Sequence, residues 1–327
     1  MQRASLIGII LLAFCVPASA VEKPIRIAGG VSGHIHPSLC ITPKGTIIAI
    51  WGKQDYKNLQ ISRSTDGGKT WSEPAPVPPT ESLSLYPGSL TVLKDGRVVH
   101  AWNLWYKDPD AKDKSRFVQF SISSDEGKTW SEAKSLAKNP AAFSVIRHPF
   151  VELSANEWLL SLSDRTIVYD PKTEKETPFA DGQKHGLVPI VKTPKDTFVS
   201  GSGQRSTDGG RTWKKVATFP RIMTDGWRYD MTCLQNGWLL AGEVLGPGVG
   251  GDTWRFIVSR DDGQTWDFAN PYEFYNPGRP IGGRACPKTV QIDKNTIGTL
   301  FYDTDAKQEG GPSVFFLRTA IADLGPK

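Results

Sequence analysis

Beyond its first 20 residues the chain has no apolar run long enough to cross a bilayer, so no membrane span is expected in the remainder. Cysteine is scarce. There are four in 327 residues, and one of them, Cys15, lies in the N-terminal apolar stretch. Cys40, Cys233 and Cys286 are an odd set whose spacing fits neither a disulfide framework nor a zinc site. No metal or cofactor is therefore expected, and all three are read as buried strand residues. No block of Lys or Arg stands out, and the net charge is only +5, which argues against a nucleic-acid partner. No segment keeps a helical period over several turns, which argues against a helical protein.

The N-terminus, MQRASLIGIILLAFCVPASA, has a basic Arg3, an apolar run from Leu6 to Phe14 and Ala18-Ser19-Ala20 as small cleavage-site residues. This is the pattern of an export signal cut after Ala20, which would deliver the protein to the periplasm or outside the cell. Residues 21–327 are then expected to form one domain, acting as a monomer.

That domain is rich in Gly, Pro and Trp, with short alternating runs between turns, so an all-β fold is expected. One phrase returns four times: STDGGKTW from Ser64, SSDEGKTW from Ser123, STDGGRTW from Ser206 and SRDDGQTW from Ser259. In such a phrase the Asp side chain can accept backbone N–H bonds and Gly can take positive φ, so it reads as a tight turn. The Trp that follows would lock the turn onto its own sheet. Catalytic residues seldom come in identical copies, so these are structural pins.

A second repeat is a strand–turn–strand hairpin. It begins at His36, Tyr86, His148, Val188, Tyr229 and Cys286. Six units of about 50 residues each have the size of four-stranded propeller blades. The eight-residue phrase follows the hairpin in the first, second, fourth and fifth units.

STDGGKTW resembles the Asp-box, or BNR repeat, of the sialidase superfamily. Four copies and six hairpins resemble the six-bladed sialidase propeller over nearly the whole mature chain. The resemblance implies Asp-boxes on the face away from the active site, and two sets of residues converging on a central funnel. At hairpin starts these are His34, His36, Tyr86, Arg147, His148, His185, Arg228, Tyr229, Asp230 and Arg284. In the return loops they are Asp55, Trp105, Glu243, Tyr302 and Asp303. Four of the five histidines fall at hairpin starts. Arg147, Arg228 and Arg284 suit a carboxylate or sulfate, because guanidinium binds such groups bidentately.

The family's catalytic motifs are altered. Ile35 stands where the family's first arginine would be, and Pro287 stands at the position of the nucleophilic tyrosine. Only Asp55 aligns with the aspartic acid. The expected activity is glycoside hydrolysis of an acidic sugar. Asp55 would be the acid, and Glu243, Tyr302 or Asp303 the second group, all lying in loops of one face. Two alternatives remain. One is a uronate lyase using His36, His148, Tyr229 and Arg228. The other is a propeller that binds a glycan without cleaving it.

Overall fold

The computed structural model describes residues 22–325, apart from 32–35, 56, 78–83, 106–115, 138–143, 180–186, 220–228, 246–250, 283–285 and 306–310. The export signal lies outside the described residues. Twenty-four strands, numbered in chain order, form six antiparallel four-stranded sheets, the blades of a propeller.

Blade 1 is β2 (Ser38–Ile41), β3 (Ile47–Gly52), β4 (Leu59–Ser64) and β5 (Ala75–Val77). Blade 2 is β6 (Ser84–Val92), β7 (Val98–Trp105), β8 (Arg116–Ser123) and β9 (Lys134–Ala137). Blade 3 is β10 (Val151–Ser154), β11 (Glu157–Ser161), β12 (Thr166–Asp170) and β13 (Lys175–Pro178). Blade 4 is β14 (Ile190–Lys192), β15 (Phe198–Ser200), β16 (Gln204–Ser206) and β17 (Lys214–Lys215). Blade 5 is β18 (Tyr229–Cys233), β19 (Leu239–Leu245), β20 (Thr253–Ser259) and β21 (Tyr272–Tyr275).

Blade 6 draws on both ends of the chain. β22 (Lys288–Gln291), β23 (Thr296–Asp303) and β24 (Ser313–Ala320) supply three strands, and β1 (Ile25–Gly29) supplies the fourth. Ile25 pairs with Phe316 and Gly29 with Ser313. The ring is thus closed by hydrogen bonds between the first and last strands.

The core lies between the blades. Six apolar clusters fill six wedges, one per interface. Ile48, Ile50 and Leu59 of blade 1 meet Leu90, Trp102 and Leu104 of blade 2. Leu300, Tyr302 and Phe316 of blade 6 meet Leu39, Ile47 and Trp51 of blade 1. Each sheet buries both faces, so its middle strands read as continuous apolar runs such as Ile47-Ile48-Ala49-Ile50-Trp51.

The Asp-boxes link the third and fourth strands of blades 1, 2, 4 and 5. Asp66 accepts from the backbone N–H groups of Lys69 and Thr70 at 3.0 and 2.9 Å. It also accepts from the hydroxyls of Thr70 at 2.6 Å and Ser64 at 2.8 Å. The Trp71 indole N–H donates to the Gly68 carbonyl at 3.2 Å. The expectation that each Trp pins its own sheet is corrected in blades 1 and 4. Trp71 meets Phe316 of blade 6 edge-on at 5.0 Å, and Trp213 meets Phe179, which closes blade 3, at 6.4 Å. The physical reason is room. The fifth residue of this turn lies against the preceding blade, and only Gly fits: a Cβ on Gly68 would sit 2.1 Å from the Phe316 ring. Each box is a rivet between blades.

The cysteine expectation is corrected in two places. Cys233 is only half-buried on β18, and Cys286 lies two residues before β22 begins.

Candidate functional site

Strand direction sorts the loops. First strands begin at one end of the ring, where the second-to-third-strand connections also lie. The Asp-boxes lie at the opposite end. At the strand-start end, four blades send polar side chains to the axis. His36 precedes β2, Arg147 and His148 precede β10, Asp230 lies on β18, and Cys286 and Lys288 come from the start of blade 6. All six are buried; Arg147, the most exposed, is 9% exposed.

Two contact chains run through this cluster. In the first, the His36 ring nitrogen Nδ1 lies 2.8 Å from Cys286 Sγ and 2.7 Å from the Cys286 backbone nitrogen. Arg147 Nη1 donates to His36 Nε2. In the second, His148 Nδ1 lies 2.7 Å from Asp230 Oδ1, and Lys288 Nζ donates to the same oxygen at 2.9 Å. Lys288 Nζ also donates to the Arg147 carbonyl at 2.8 Å. Asn103 of β7 clamps the same segment from blade 2. Its amide donates to the Ile146 carbonyl at 2.8 Å and accepts from the Ile146 N–H at 2.8 Å.

Protonation follows from these surroundings. Burial lowers the His148 pKa, and the Lys288 charge lowers it further, against the pull of Asp230. The imidazole is therefore neutral at neutral pH. Burial works to raise the Asp230 pKa, but Lys288 and His148 outweigh it and hold the carboxyl below its ordinary value. Asp230 is ionised and accepts the Nδ1 proton of His148. Nε2 of His148 is then the acceptor nitrogen, and it is buried with no hydrogen-bond partner among the described residues. Burial pushes the Cys286 thiol up to about 11, so it is no thiolate nucleophile.

The other expected site residues are placed as follows. Glu243 lies within β19, and Tyr302 and Asp303 lie within β23, not in loops; Trp105 is the last residue of β7. This corrects the loop assignment. The strands run further toward the strand-start end than their apolar stretches suggest, because backbone pairing continues through Glu243↔Arg255 and Asp303↔Ser313. Glu243 Oε1 accepts from Arg255 Nε and Nη2 at 2.8 and 2.6 Å, and its Oε2 is buried with no partner among the described residues. Burial raises its pKa although Arg255 opposes the rise. Along β18 and β19, Tyr229 and Glu243 are paired and face blade 4, whereas Asp230 faces blade 6.

Tyr302 is 2% exposed in the apolar wedge between blades 6 and 1, and burial raises its pKa well above the usual phenol value. Asp303 is fully buried; it accepts from Tyr275 Oη at 2.6 Å and Arg279 Nη2 at 2.8 Å. Asp55 is exposed on the connection from β3 to β4. Its slight burial would raise its pKa, but the Lys57 and Asn58 donors and nearby Lys53 hold it below the ordinary value. Tyr86 is half-buried on β6 and Tyr229 is buried between blades 4 and 5. His34, His185, Arg228 and Arg284 lie outside the described residues, as does the side chain of Trp105.

The structure therefore brings His36, Arg147 and His148 together, and leaves Asp55, Glu243, Tyr302 and Asp303 in separate settings. Lys288 was not foreseen. Its position next to Pro287 at the start of a strand was its only sequence signal. No group of three or more potential metal ligands occurs among the described residues.

Comparison with known proteins agrees with this architecture. A family model described as a BNR repeat-like domain matches residues 17–157, and a BNR/Asp-box repeat model matches residues 204–215. A sialidase of Bacteroides fragilis is 26% identical over 210 residues, covering 54% of this chain and 34% of that protein. A probable oligoxyloglucan-reducing end-specific xyloglucanase of Neosartorya fischeri is 25% identical over 215 residues, covering 60% of this chain and 23% of that protein. The chain thus spans about a third of the first relative's length and about a quarter of the second's. Among solved structures, a Hadza microbial sialidase superposes with a TM-score of 0.69 at 14% identity, over 94% of this chain and 70% of that one.

Proposed function

Because this chain is a sialidase-like Asp-box propeller, we propose that it is a carbohydrate-active enzyme that cleaves a glycan at the strand-start end of the ring axis. The observation that carries this reading is His148. It is buried at the meeting point of three blades, neutral, held by ionised Asp230 through Nδ1, and left with a partnerless acceptor nitrogen. A base of this kind takes a proton from whatever reaches Nε2. The Arg147 cation beside it favours a substrate that carries a carboxylate, an acidic sugar.

Two reactions use such a base. If it takes its proton from water, the water attacks the anomeric carbon and the glycosidic bond is hydrolysed. If His148 takes its proton from the carbon next to a uronate carboxylate, the chain is cleaved by elimination. Purified protein incubated with sialosides and uronate polysaccharides distinguishes the two. Hydrolysis gives a saturated reducing sugar, and elimination gives an unsaturated product that absorbs in the near ultraviolet. Bound glycan with no product in either series would replace the enzyme reading with a binding one.

Export belongs to the same proposal. Its support is the charge, length and small-residue pattern of residues 1–20. A mature protein that begins at Met1 when recovered from cells would remove it.

A further inference from the structure

Lys288 is buried to 2% exposure, yet none of the proposed chemistry calls on its ammonium group directly. Burying a lysine is unfavourable unless its charge and donors are satisfied. Here they are used on two other blades. Nζ donates to Asp230 Oδ1 of blade 5 at 2.9 Å and to the Arg147 carbonyl before blade 3 at 2.8 Å. It also lies 3.5 Å from His148 Nδ1. One side chain thus touches the carboxylate that orients His148, the backbone that carries His148, and the imidazole itself.

We propose that Lys288 is the positioning residue of this site: its ammonium group fixes the Asp230 carboxylate and the Arg147–His148 backbone, and its charge keeps the His148 imidazole in the neutral, proton-accepting state. The argument is one of charge balance. Without Lys288, the buried Asp230 carboxylate would face His148 alone, and an ion pair between aspartate and imidazolium would become the favoured arrangement. His148 would then hold its proton through neutral pH and lose its function as a base. With Lys288 present, Asp230 is already neutralised and the second proton is not needed. Among the described residues, the charged and titratable groups around the ring are Arg147 on its own segment, Asp230 from β18 and Lys288 from β22; Cys286 lies among the same charges, and His36 stands beyond Arg147. Asn103, clamping Ile146 from blade 2, holds the segment but carries no charge.

The catalytic meaning of this role rests on the proposed function, but the role itself can be tested without turnover. The imidazole signals of the full chain are titrated by NMR in the wild type, Lys288→Met and Lys288→Gln. Resonances are assigned through a His148→Gln variant. The expected result is that His148 titrates higher by about one pH unit or more in both variants, because a like charge has been removed. Lys288→Arg, which keeps the charge, should leave the titration close to the wild type. Near-ultraviolet circular dichroism establishes that each variant is folded. Lys288→Gln keeps a donor for the Arg147 carbonyl, so it serves where Lys288→Met does not fold.

A His148 titration unmoved in a folded, charge-free variant would overturn the proposal. So would failure of both charge-free variants to fold while Lys288→Arg folds normally with a shifted titration. Where activity is measured, the acid limb of its pH profile should move with the imidazole. A His148→Gln protein with full activity would remove the catalytic reading and leave the titration result standing.

Discussion

Glu126 and Thr42 bind two blades together across a left-handed turn. Glu126 is the fourth residue of the Asp-box in blade 2 and has φ of 64°. Its carboxylate accepts a hydrogen bond from the Thr42 hydroxyl in blade 1. Asp262 repeats the arrangement in blade 5, with φ of 64° and a bond of 2.8 Å from Thr197 of blade 4. The other two boxes have Gly67 and Gly209 at this position. Positive φ costs a residue with a side chain about 1–2 kcal/mol, so these carboxylates hold a strained position in exchange for an interblade bond.

The two terms can be separated by substitution. Glu126→Ala keeps the strain and loses the bond, and should lower stability by about 1.5–3 kcal/mol, the range for bonds to charged groups. Glu126→Gly loses the bond and the strain together, and should cost about 1 kcal/mol or less. Urea unfolding of both variants tests this order. A glycine variant less stable than the alanine variant would show that the strut is not the reason for the residue.

Gly68 and Gly209 give a second contrast. Both have positive φ, 86° and 76°, but a Cβ on Gly68 would strike the Phe316 ring whereas Gly209 has open space. Gly209→Ala should cost about 1–2 kcal/mol from the backbone alone. Gly68→Ala should cost at least about 1 kcal/mol more, because the interblade packing must shift as well. Equal thermal shifts for the two would contradict the rivet role of the box.

Acid should loosen the boxes first. The Asp125 carboxyl is held at about 2, below its ordinary 3.8, by the Thr129 hydroxyl, then the Thr129 N–H, and then Ser123 and Lys128, which outweigh its slight desolvation. A lowered carboxyl pKa contributes stability that is complete above the unfolded value and is lost as pH falls through the folded one. Wild-type stability should therefore fall between about pH 4 and about pH 2. Thr129→Val removes the leading donor, so its stability should be lower at pH 7 and flatter across this window. Curves that stay parallel down to pH 2 would count against the assignment.

His148→Gln should reduce turnover on an accepted glycan by at least about 100-fold, as expected for loss of a general base. Asp230→Asn should reduce it too, since an amide no longer selects the tautomer with an acceptor Nε2. Substrate affinity should change much less than turnover. Retained turnover in His148→Gln would move the chemistry elsewhere in the site.

Removing the chain up to Gly29 deletes β1. This bares the β24 edge and loses the Arg26 bond to Ser313 at 2.8 Å. An unpaired edge of this kind invites pairing with other chains. The shortened protein should melt lower and scatter light at concentrations where the full chain does not. A melting temperature equal to that of the full chain would mean that the ring closes without its N-terminal strand.

The repeats were legible because each is local: eight residues make a turn, and a hairpin needs only its own alternation. Asp66 and Gly68 declare a turn by their own chemistry. What Gly68 touches is set by Phe316, about three-quarters of the chain away, and no local signal reports it. The same limit applies to blade 6, whose fourth strand comes from Ile25–Gly29. At the site, His36, Arg147 and His148 could be placed by their positions at hairpin starts. Lys288 could not, because its role is defined by Asp230 and the Arg147 carbonyl on other blades. Asp303 and Glu243 looked like loop carboxylates because a charge usually ends a buried strand. Here arginine partners allow pairing to continue past them.

The pairing of Ile25 with Phe316 also sets a schedule. The first strand of the ring to leave the ribosome is the last to find its partner. At the usual pace of synthesis, roughly 5–20 residues per second, that interval is tens of seconds. Through that time the open ring exposes two unsatisfied blade edges, and Ile25–Gly29 must stay out of other pairings. Closing the ring is therefore a late event in the life of each chain, and the step at which a chaperone has the most to protect.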